Sequence, residues 1–223
     1  VRLLRARLTG LLEELRSGGE IRSGAFAGAD YRRRLDLLDE SLTTAGLGEA
    51  AREGQLGRVR LLARVFGFHL AALDVRQHSG VHERAVHELL ERAGVSDGYL
   101  ALDERARVEL LTHELASPRP LLPRGATALG EATEDLLATL DQLRHALESE
   151  PDSVGGYVVS MTHAVSDLLE VLLLFREAGL RMGDDGDAAT SLDVVPLFET
   201  IDDLAQAGER LDALLSTPVY RRH

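Results

Sequence analysis

The chain has 223 residues, a formal net charge of -12, 44% hydrophobic residues and no cysteine. The acidic balance disfavours binding to nucleic-acid phosphates, and the lack of cysteine excludes disulfides and thiolate metal sites within the chain. The hydrophobic content favours a folded protein, and no apolar run approaches the ~18 residues of a membrane-spanning helix. We therefore expect a cytoplasmic protein with neither a nucleic acid nor a membrane as partner.

Amphipathic periodicity predicts helices along most of the chain. Gly94 and Gly179 stand where helix-ending glycines belong. The predicted helices cover Leu3–Leu15, the stretch from after Asp30 to before Gly46, Glu49–Phe66, Val81–Ala93, Asp103–Leu115, Thr127–Glu148, Ser166–Ala178 and Thr200–Leu215. Residues 1–66 accordingly form a helical segment in this interpretation.

Three short apolar segments interrupt the helical pattern and predict buried strands. They are Gly67–Val75, Gly156–Met161 and Leu192–Phe198, each bounded by glycine, proline or polar residues. Pro196 weakens the third prediction, because proline is confined to the ends, edges and bulges of sheets. Between the second and third segments, Gly183–Thr190 is acidic and glycine-rich, which predicts disorder.

Each predicted strand runs into a cluster of polar residues and then into a helix. This order is typical of a β/α barrel or of an open α/β sheet, in which chemistry gathers at the carboxyl ends of the strands. Three strands cannot close a barrel. Residues 67–223 therefore fit a partial β/α barrel, and the fold class is mainly α with a few parallel strands.

Two charged residues at strand ends are candidates for chemistry. Arg76 leaves the apolar run LAALDV, where a guanidinium suits a carboxylate or phosphate ligand, although on this pattern alone a salt bridge to Asp74 or a neighbouring acid explains it slightly better. Glu199 follows VVPLF, where a carboxylate can bind a metal, act as an acid or base, or accept amides at a helix N-terminus. A simple first-turn carboxylate explains Glu199 as well.

The histidines favour structural interpretations. His78, His82 and His87 lack the HExxH spacing of a zinc site and predict a solvated helix face. His163 can be a general base, but hydrogen bonding to Ser166 or Asp167 explains it more simply. The remaining positions predict a core or strand histidine at His69 and surface histidines at His113 and His145.

Four blocks in order resemble the phosphoenolpyruvate carboxylase family. The segment FGFHLAALDVRQHSGVH is similar to the family's FG-x-x-L-x-x-LDIRQES-x-x-H, and HELASPRPLLP is similar to its REL-x-S-x-RPLLP. The stretch GGYVVSMTHAVSDLLEVLLLFREAGL resembles YVISM-x-x-x-x-SD-x-L-x-x-x-LL-x-KEAG. The last block, beginning DVVPLFETIDDL, resembles VVPLFET-x-x-DL-x-x-A.

The resemblance implies a function. Members condense phosphoenolpyruvate with bicarbonate to give oxaloacetate and phosphate, require Mg²⁺ or Mn²⁺, and are typically homotetramers with a helix-rich elaborated β/α (TIM-type) barrel. It implies that Glu199, the glutamate of PLFET, is a metal ligand. It also implies that Arg76, the arginine of LD-x-RQ, lies at the substrate anions.

The resemblance covers an internal part of a family member. The family usually has glutamate where this chain has His78, and its catalytic histidine and second metal-ligand aspartate have no counterpart here. Val1 and the ending at His223 also suggest a piece of a longer protein. Alone, the chain is expected to be inactive and to bind metal weakly. The alternatives are a helical scaffold and a different metal-dependent β/α barrel enzyme.

Overall fold

The structure of the chain is a computed structural model, which describes Thr9 and residues 27–121, 129–180 and 192–223. These residues are mainly helical, with three parallel strands, as the sequence predicted. Two predictions lie essentially outside the described residues, namely the helix over Leu3–Leu15 and the disordered stretch Gly183–Thr190. Within the described residues, no helix combines the length and apolarity needed to cross a bilayer.

The chain divides into two compact units. The first comprises Val1–Ala72 with His145–Ser153, and the second comprises Leu73–Arg144 with Val154–His223. The boundary near Ala72 lies close to the predicted one between residues 66 and 67, but the first unit also takes a segment from later in the chain. The predicted division into residues 1–66 and 67–223 stays a prediction.

Three helices form the described N-terminal part of the first unit. They are α1 (Gly28–Thr44), α2 (Gly48–Glu53) and α3 (Gln55–Phe66). The single helix predicted over Glu49–Phe66 is wrong, because Gly54 has extended backbone angles and separates α2 from α3. Gly57 accounts for the tight junction, since a Cβ atom there would lie 1.8 Å from the carbonyl oxygen of Arg52.

The second unit is built on a three-stranded parallel sheet. Its strands are β1 (Leu73–His78), β2 (Val154–Ser160) and β3 (Val194–Pro196), in the order β1-β2-β3. The register aligns Arg76 with Val158 of β2, and Val158 with Val195 of β3. The polar segments that follow the three strands therefore meet at one edge of the sheet.

The first strand begins later than predicted. Gly67 and Leu70 have positive φ angles of 53° and 68°, so the chain turns where the sequence predicted the strand Gly67–Val75. Only residues from Leu73 onward pair with β2, and none of the residues of β1 is buried, so the prediction of a buried strand here is wrong. The third strand is also shorter than Leu192–Phe198, and Pro196 ends it, as expected for proline at the end of an edge strand.

Six helices lie wholly or partly in the described part of the second unit. Their bounds are α4 (Ser79–Arg92), α5 (Glu104–Ala116), α6 (Glu131–Ser149), α7 (Ser166–Glu177), α8 (Ile201–Ser216) and α9 (Pro218–Arg222), with a 3₁₀ turn at Tyr99–Ala101. A further 3₁₀ turn, Pro151–Ser153, belongs to the first unit. Only the part of α6 up to Arg144 belongs to the second unit. The predicted start of this helix at Thr127 is wrong, because residues 129 and 130 are not helical.

The core of the second unit lies around α7. Every residue from Leu168 to Phe175 is buried, so this helix has no solvated face. Helix α7 packs on α4 and α5, and the ring of Phe175 meets the ring of Tyr157 edge-on at 5.2 Å. Tyr157 and Val159 of β2 are also buried, so one face of the sheet is covered by helices.

Candidate functional site

Arg76 and Glu199 come together at the carboxyl edge of the sheet. The Arg76 guanidinium donates to Oε1 of Glu199 across a sequence separation of 123 residues. The backbone amide of Met161 donates to Oε2 of the same carboxylate at 3.1 Å. We call Arg76, Met161 and Glu199 the strand-end cluster. Both oxygens of the Glu199 carboxylate have partners within it.

The ion pair in the strand-end cluster faces solvent. The side chain of Arg76 is 56% exposed and that of Glu199 is 32% exposed. Side chains alternate along a strand, so Arg76 points away from the face where its neighbours Val75 and Gln77 are partly buried. A ligand can therefore reach both charged groups. The alternative partner from the sequence, Asp74, does not appear among the ion pairs of Arg76 in the described residues.

Hydrogen bonds between two loops place Met161 against Glu199. The Leu197 amide donates to the Val159 carbonyl at 2.9 Å, which extends the pairing of β2 and β3 beyond the last strand residue. Met161 then adopts a positive φ of 55°, an uncommon conformation for a residue with a side chain. The amide that enters this turn is the one that donates to the Glu199 carboxylate.

A capping box follows directly after Glu199. The Thr200 hydroxyl accepts from the Asp203 amide at 3.0 Å and donates to Asp203 Oδ2 at 2.7 Å. Oδ1 of Asp203 accepts from Arg210 at 2.7 Å and from the ring of His163 at 3.0 Å. The hydrogen bonds from Thr200, Arg210 and His163 lower the pKa of Asp203, so this carboxyl group stays ionised.

A cavity of about 430 Å³ lies beside the ends of β1 and β2. Three carboxylates in its wall already have partners. Glu83 pairs with Arg107 at 2.6 Å, Glu104 accepts from the hydroxyl and amide of Ser166, and Asp167 accepts from the amides of residues 163 and 164. The lining residues include three carboxylates and one guanidinium, that of Arg107.

The carboxylate of Glu199 is the type of ligand that a hard cation prefers, but a single carboxylate is too few ligands for a cation site. Mg²⁺ and Mn²⁺ prefer oxygen ligands, and one carboxylate oxygen supplies one of about six positions. Among the described residues, no group of three or more histidine, cysteine, aspartate or glutamate side chains is arranged to hold a metal ion. The described part of the chain therefore does not make a divalent-cation site by itself.

The prediction that His82 lies on a solvated helix face is wrong. His82 is fully buried, and its Nε2 atom lies 2.8 Å from the Tyr157 hydroxyl. Burial, together with the charge of the nearby His78, lowers the pKa of His82 to about 4. The sequence held the necessary signal, because His82 precedes the buried Ala85 and Val86 at helical spacing.

The other histidines follow the predictions more closely. The side chain of His78 accepts from the Gly80 amide at 2.9 Å and caps α4. His113 and His145 are exposed, as predicted, whereas His69 is half-buried and lies outside the strands, so the prediction of a core or strand position for it is wrong. His163 bonds to Asp167 through its backbone amide, but its ring contacts Asp203, which the sequence did not indicate.

Sequence comparison identifies relatives along nearly the whole chain. The family model described as "Phosphoenolpyruvate carboxylase" matches residues 14–223. A protein named phosphoenolpyruvate carboxylase from Rhodothermus marinus is 50% identical over 222 residues, which cover 96% of this chain and 24% of the relative. The protein of that name from Aromatoleum aromaticum is 46% identical over 86% of this chain and 21% of its own length.

A third relative of the same name, from Mycobacterium avium, is 40% identical over 99% of this chain and 24% of the relative. The chain thus spans about a quarter of the length of the relatives from Rhodothermus marinus and Mycobacterium avium. All four blocks that carried the resemblance lie within the matched residues.

Proposed function

The chain belongs to the phosphoenolpyruvate carboxylase family, and we propose that it supplies part of the active site of such a carboxy-lyase. The complete protein then condenses phosphoenolpyruvate with bicarbonate and releases oxaloacetate and phosphate, as anaplerotic carbon fixation. This proposal includes the remaining expectations from the resemblance: a Mg²⁺ or Mn²⁺ requirement, an elaborated TIM-type barrel, a homotetramer and a cytoplasmic location.

The contact between Arg76 and Glu199 carries the proposal. The reaction needs a cation that holds anionic substrates and a carboxylate that holds a metal, close together and open to solvent. Two segments 123 residues apart deliver an arginine and a glutamate to one edge of the sheet. A scaffold without chemistry gives no reason for this pairing of an exposed arginine with an exposed glutamate at parallel strand ends, where α/β enzymes bind ligands.

Arg76 is proposed to bind an anionic group of phosphoenolpyruvate. A guanidinium offers several N–H donors in a planar fork, which suits carboxylate and phosphate oxygens. Because Glu199 occupies the guanidinium in this structure, the substrate anion would replace the glutamate as its partner. The exchange is feasible because the pair is exposed, and an exposed ion pair contributes only about 0–1 kcal/mol.

Glu199 is proposed to contribute one carboxylate oxygen to the divalent cation. Further ligands have to come from outside the described residues. A cation bound there would supply Lewis-acid stabilisation of negative charge developing on an enolate oxygen. The Met161 amide holds the second carboxylate oxygen of Glu199, which fixes the side chain for this role.

A chimera tests the proposal. The chain would replace the matching segment of the Rhodothermus marinus relative, and oxaloacetate formation would be measured against phosphoenolpyruvate, bicarbonate and Mg²⁺. We expect Mg²⁺-dependent activity that Glu199→Gln reduces by about 100-fold or more. Glu209→Gln, the same chemical change at an exposed position in α8, is the matched control and should leave the rate unchanged.

Two results would contradict the proposal. The first is a folded chimera with Glu199→Gln that keeps both its rate and its dependence on Mg²⁺. The second is a folded chimera without any bicarbonate-dependent oxaloacetate formation. The isolated chain should show no activity and only weak Mn²⁺ binding in an electron paramagnetic resonance titration, because one carboxylate does not form a site.

A further inference from the structure

We propose that Asp203 is a positioning residue for Glu199: it ties the segment after β2 to the segment after β3 and thereby fixes the strand-end cluster. This inference rests on the proposed function of Glu199. It concerns a residue that does not itself reach the substrate anions or the cation. Its carboxylate acts through Thr200 and His163, which stand on the two loops that meet at Glu199.

Asp203 does more than an ordinary helix cap requires. A capping box needs one side-chain oxygen of the third helical residue to reach back to the cap residue, here Thr200. Oδ2 of Asp203 performs this role. Oδ1 is left for two further donors, His163 and Arg210, and His163 comes from a different loop. The side chain is also nearly buried, at 3% exposed.

The contacts of Asp203 reach both the segment that carries Glu199 and the segment whose amide binds its carboxylate. Thr200 is the next residue after Glu199, so the capping box fixes the backbone from which the glutamate projects. His163 lies two residues after Met161, whose amide holds Glu199 Oε2. Asp203 therefore joins the segment that carries the glutamate to the segment that holds it. The Arg210 guanidinium strengthens this link, because it lies 3.5 Å from the carbonyl oxygen of Thr162 between them.

Charge is necessary for the link between the loops. The carboxylate accepts at Oδ1 from two donors, one of them the permanently charged guanidinium of Arg210. An asparagine can still accept from Thr200 as a cap, but its neutral amide holds Arg210 and His163 far less strongly. Asp203→Asn thus separates the capping role from the positioning role. Asp203→Glu restores the charge and keeps a residue common in capping boxes.

Hydrogen exchange of the Met161 amide in the 223-residue chain provides the first measurement. If Asp203 holds the two loops together, Asp203→Asn should speed this exchange by about tenfold, because Glu199 no longer stays against the amide. Asp203→Glu should restore most of the protection. Asp103→Asn is the matched control, since Asp103 caps α5 through the Ala106 amide and lies on a different helix.

Mn²⁺ dependence of the chimera provides the second measurement. Asp203→Asn should raise the Mn²⁺ concentration for half-maximal rate by about tenfold, with a much smaller change in the rate at saturating Mn²⁺. Residues that orient metal ligands typically produce such an effect. Asp203→Glu should recover the affinity, and Asp103→Asn should leave it unchanged.

The outcomes separate the inference from the proposed function. If Asp203→Asn only speeds exchange uniformly along α8, or leaves both measurements unchanged, Asp203 is merely a cap and the inference is overturned. If Glu199→Gln does not change the activity of the chimera, the metal role fails, while exchange at Met161 still reports whether Asp203 positions Glu199. Faster Met161 exchange and a higher Mn²⁺ concentration for half-maximal rate, both reversed by Asp203→Glu, would establish the positioning role.

Discussion

The strand-end cluster and the helix-covered side of the sheet both contain ionisable groups. The groups of the cluster are charged and exposed, whereas those on the covered side are buried and favour their neutral forms. We call His82, Tyr99, Tyr157, Glu170 and Leu172 the buried layer, since each is at most 1% exposed. In the strand-end cluster, the charges of Arg76 and Glu199 neutralise each other in reach of solvent. Burial therefore decides whether a polar group serves stability or is available to a ligand.

The buried layer avoids charge. Tyr99 donates its hydroxyl to Glu170 at 2.7 Å, and burial raises the pKa of Glu170 well above its usual range. Burial likewise lowers the pKa of His82. Both shifts favour the neutral form, because a charge loses its hydration in the interior. Neither residue is available for catalysis at the open edge of the sheet.

The largest expected effect on stability comes from shortening a buried leucine. Leu172→Ala should lower the free energy of unfolding by about 2–5 kcal/mol, because it removes a fully buried side chain and leaves a cavity in α7. Urea denaturation followed by circular dichroism measures the change. Leu204→Ala is the matched control on α8, where the side chain is 62% exposed and the loss should stay below about 1 kcal/mol. Equal losses of unfolding free energy in the two variants would show that burial does not set the energetic difference between these positions.

Arg76→Ala should mainly affect function. In the chimera we expect about a 100-fold loss of kcat/KM for phosphoenolpyruvate, because the proposed anion ligand loses its guanidinium. Arg105→Ala provides the control, since Arg105 pairs on the surface with Glu109 and is 88% exposed. A chimera that keeps its kcat/KM after Arg76→Ala would remove Arg76 from the substrate site.

His82 should make the free energy of unfolding depend on pH. Its pKa is about 4 in the folded chain against 6.5 ordinarily, so the unfolded chain binds more protons between these values. The free energy of unfolding therefore does not depend on the protonation of His82 well above pH 6.5, and it decreases as the pH falls from 6.5 toward 4. At pH 5 the loss amounts to about 2 kcal/mol. We expect His82→Gln to remove this part of the pH dependence, measured as the difference between wild-type and variant urea curves at pH 5 and pH 7.5. A parallel pH dependence in both proteins would show that His82 is not held neutral.

The sequence predicted the architecture because periodicity reports burial. The apolar runs before Ser160 and Pro196 predicted the second and third strands, and the polar residues after the strands predicted the edge where Arg76 and Glu199 meet. The run before Asp74 is an exception, because its strand has no buried residue. Element ends were less predictable. Turns at Gly67 and Leu70 depend on backbone angles that no periodicity encodes. The break between α2 and α3 coincides with Gly54 and Gly57, which the apolar periodicity does not register.

The partners of the site residues were harder to predict than the residues themselves. Motif and strand position made Arg76 and Glu199 the candidates, and their roles stay predictions, but nothing in the sequence indicates that the Met161 amide or the ring of His163 crosses between loops. Those contacts depend on the register of β2 with β3. The prediction of a solvated position for His82 was wrong for another reason. It assumed that a histidine faces water, although the helical spacing to Ala85 and Val86 places His82 on the apolar face.

The smallest expected effect concerns the Arg76–Glu199 pair as a source of stability. A double-mutant cycle with Arg76→Ala, Glu199→Ala and the combined variant should give a coupling free energy of unfolding of about 0.2–1 kcal/mol, because solvent screens a pair with these exposures. The coupling should weaken further in 1 M NaCl, a prediction from screening at a Debye length of about 3 Å. Urea denaturation of the four proteins provides the measurement. A coupling of several kcal/mol that persists in salt would mean that the pair stabilises the fold, as the contacts of the buried layer do. A substrate anion that displaced Glu199 from Arg76 would then have to offset that free energy, which would contradict the proposed exchange of partners.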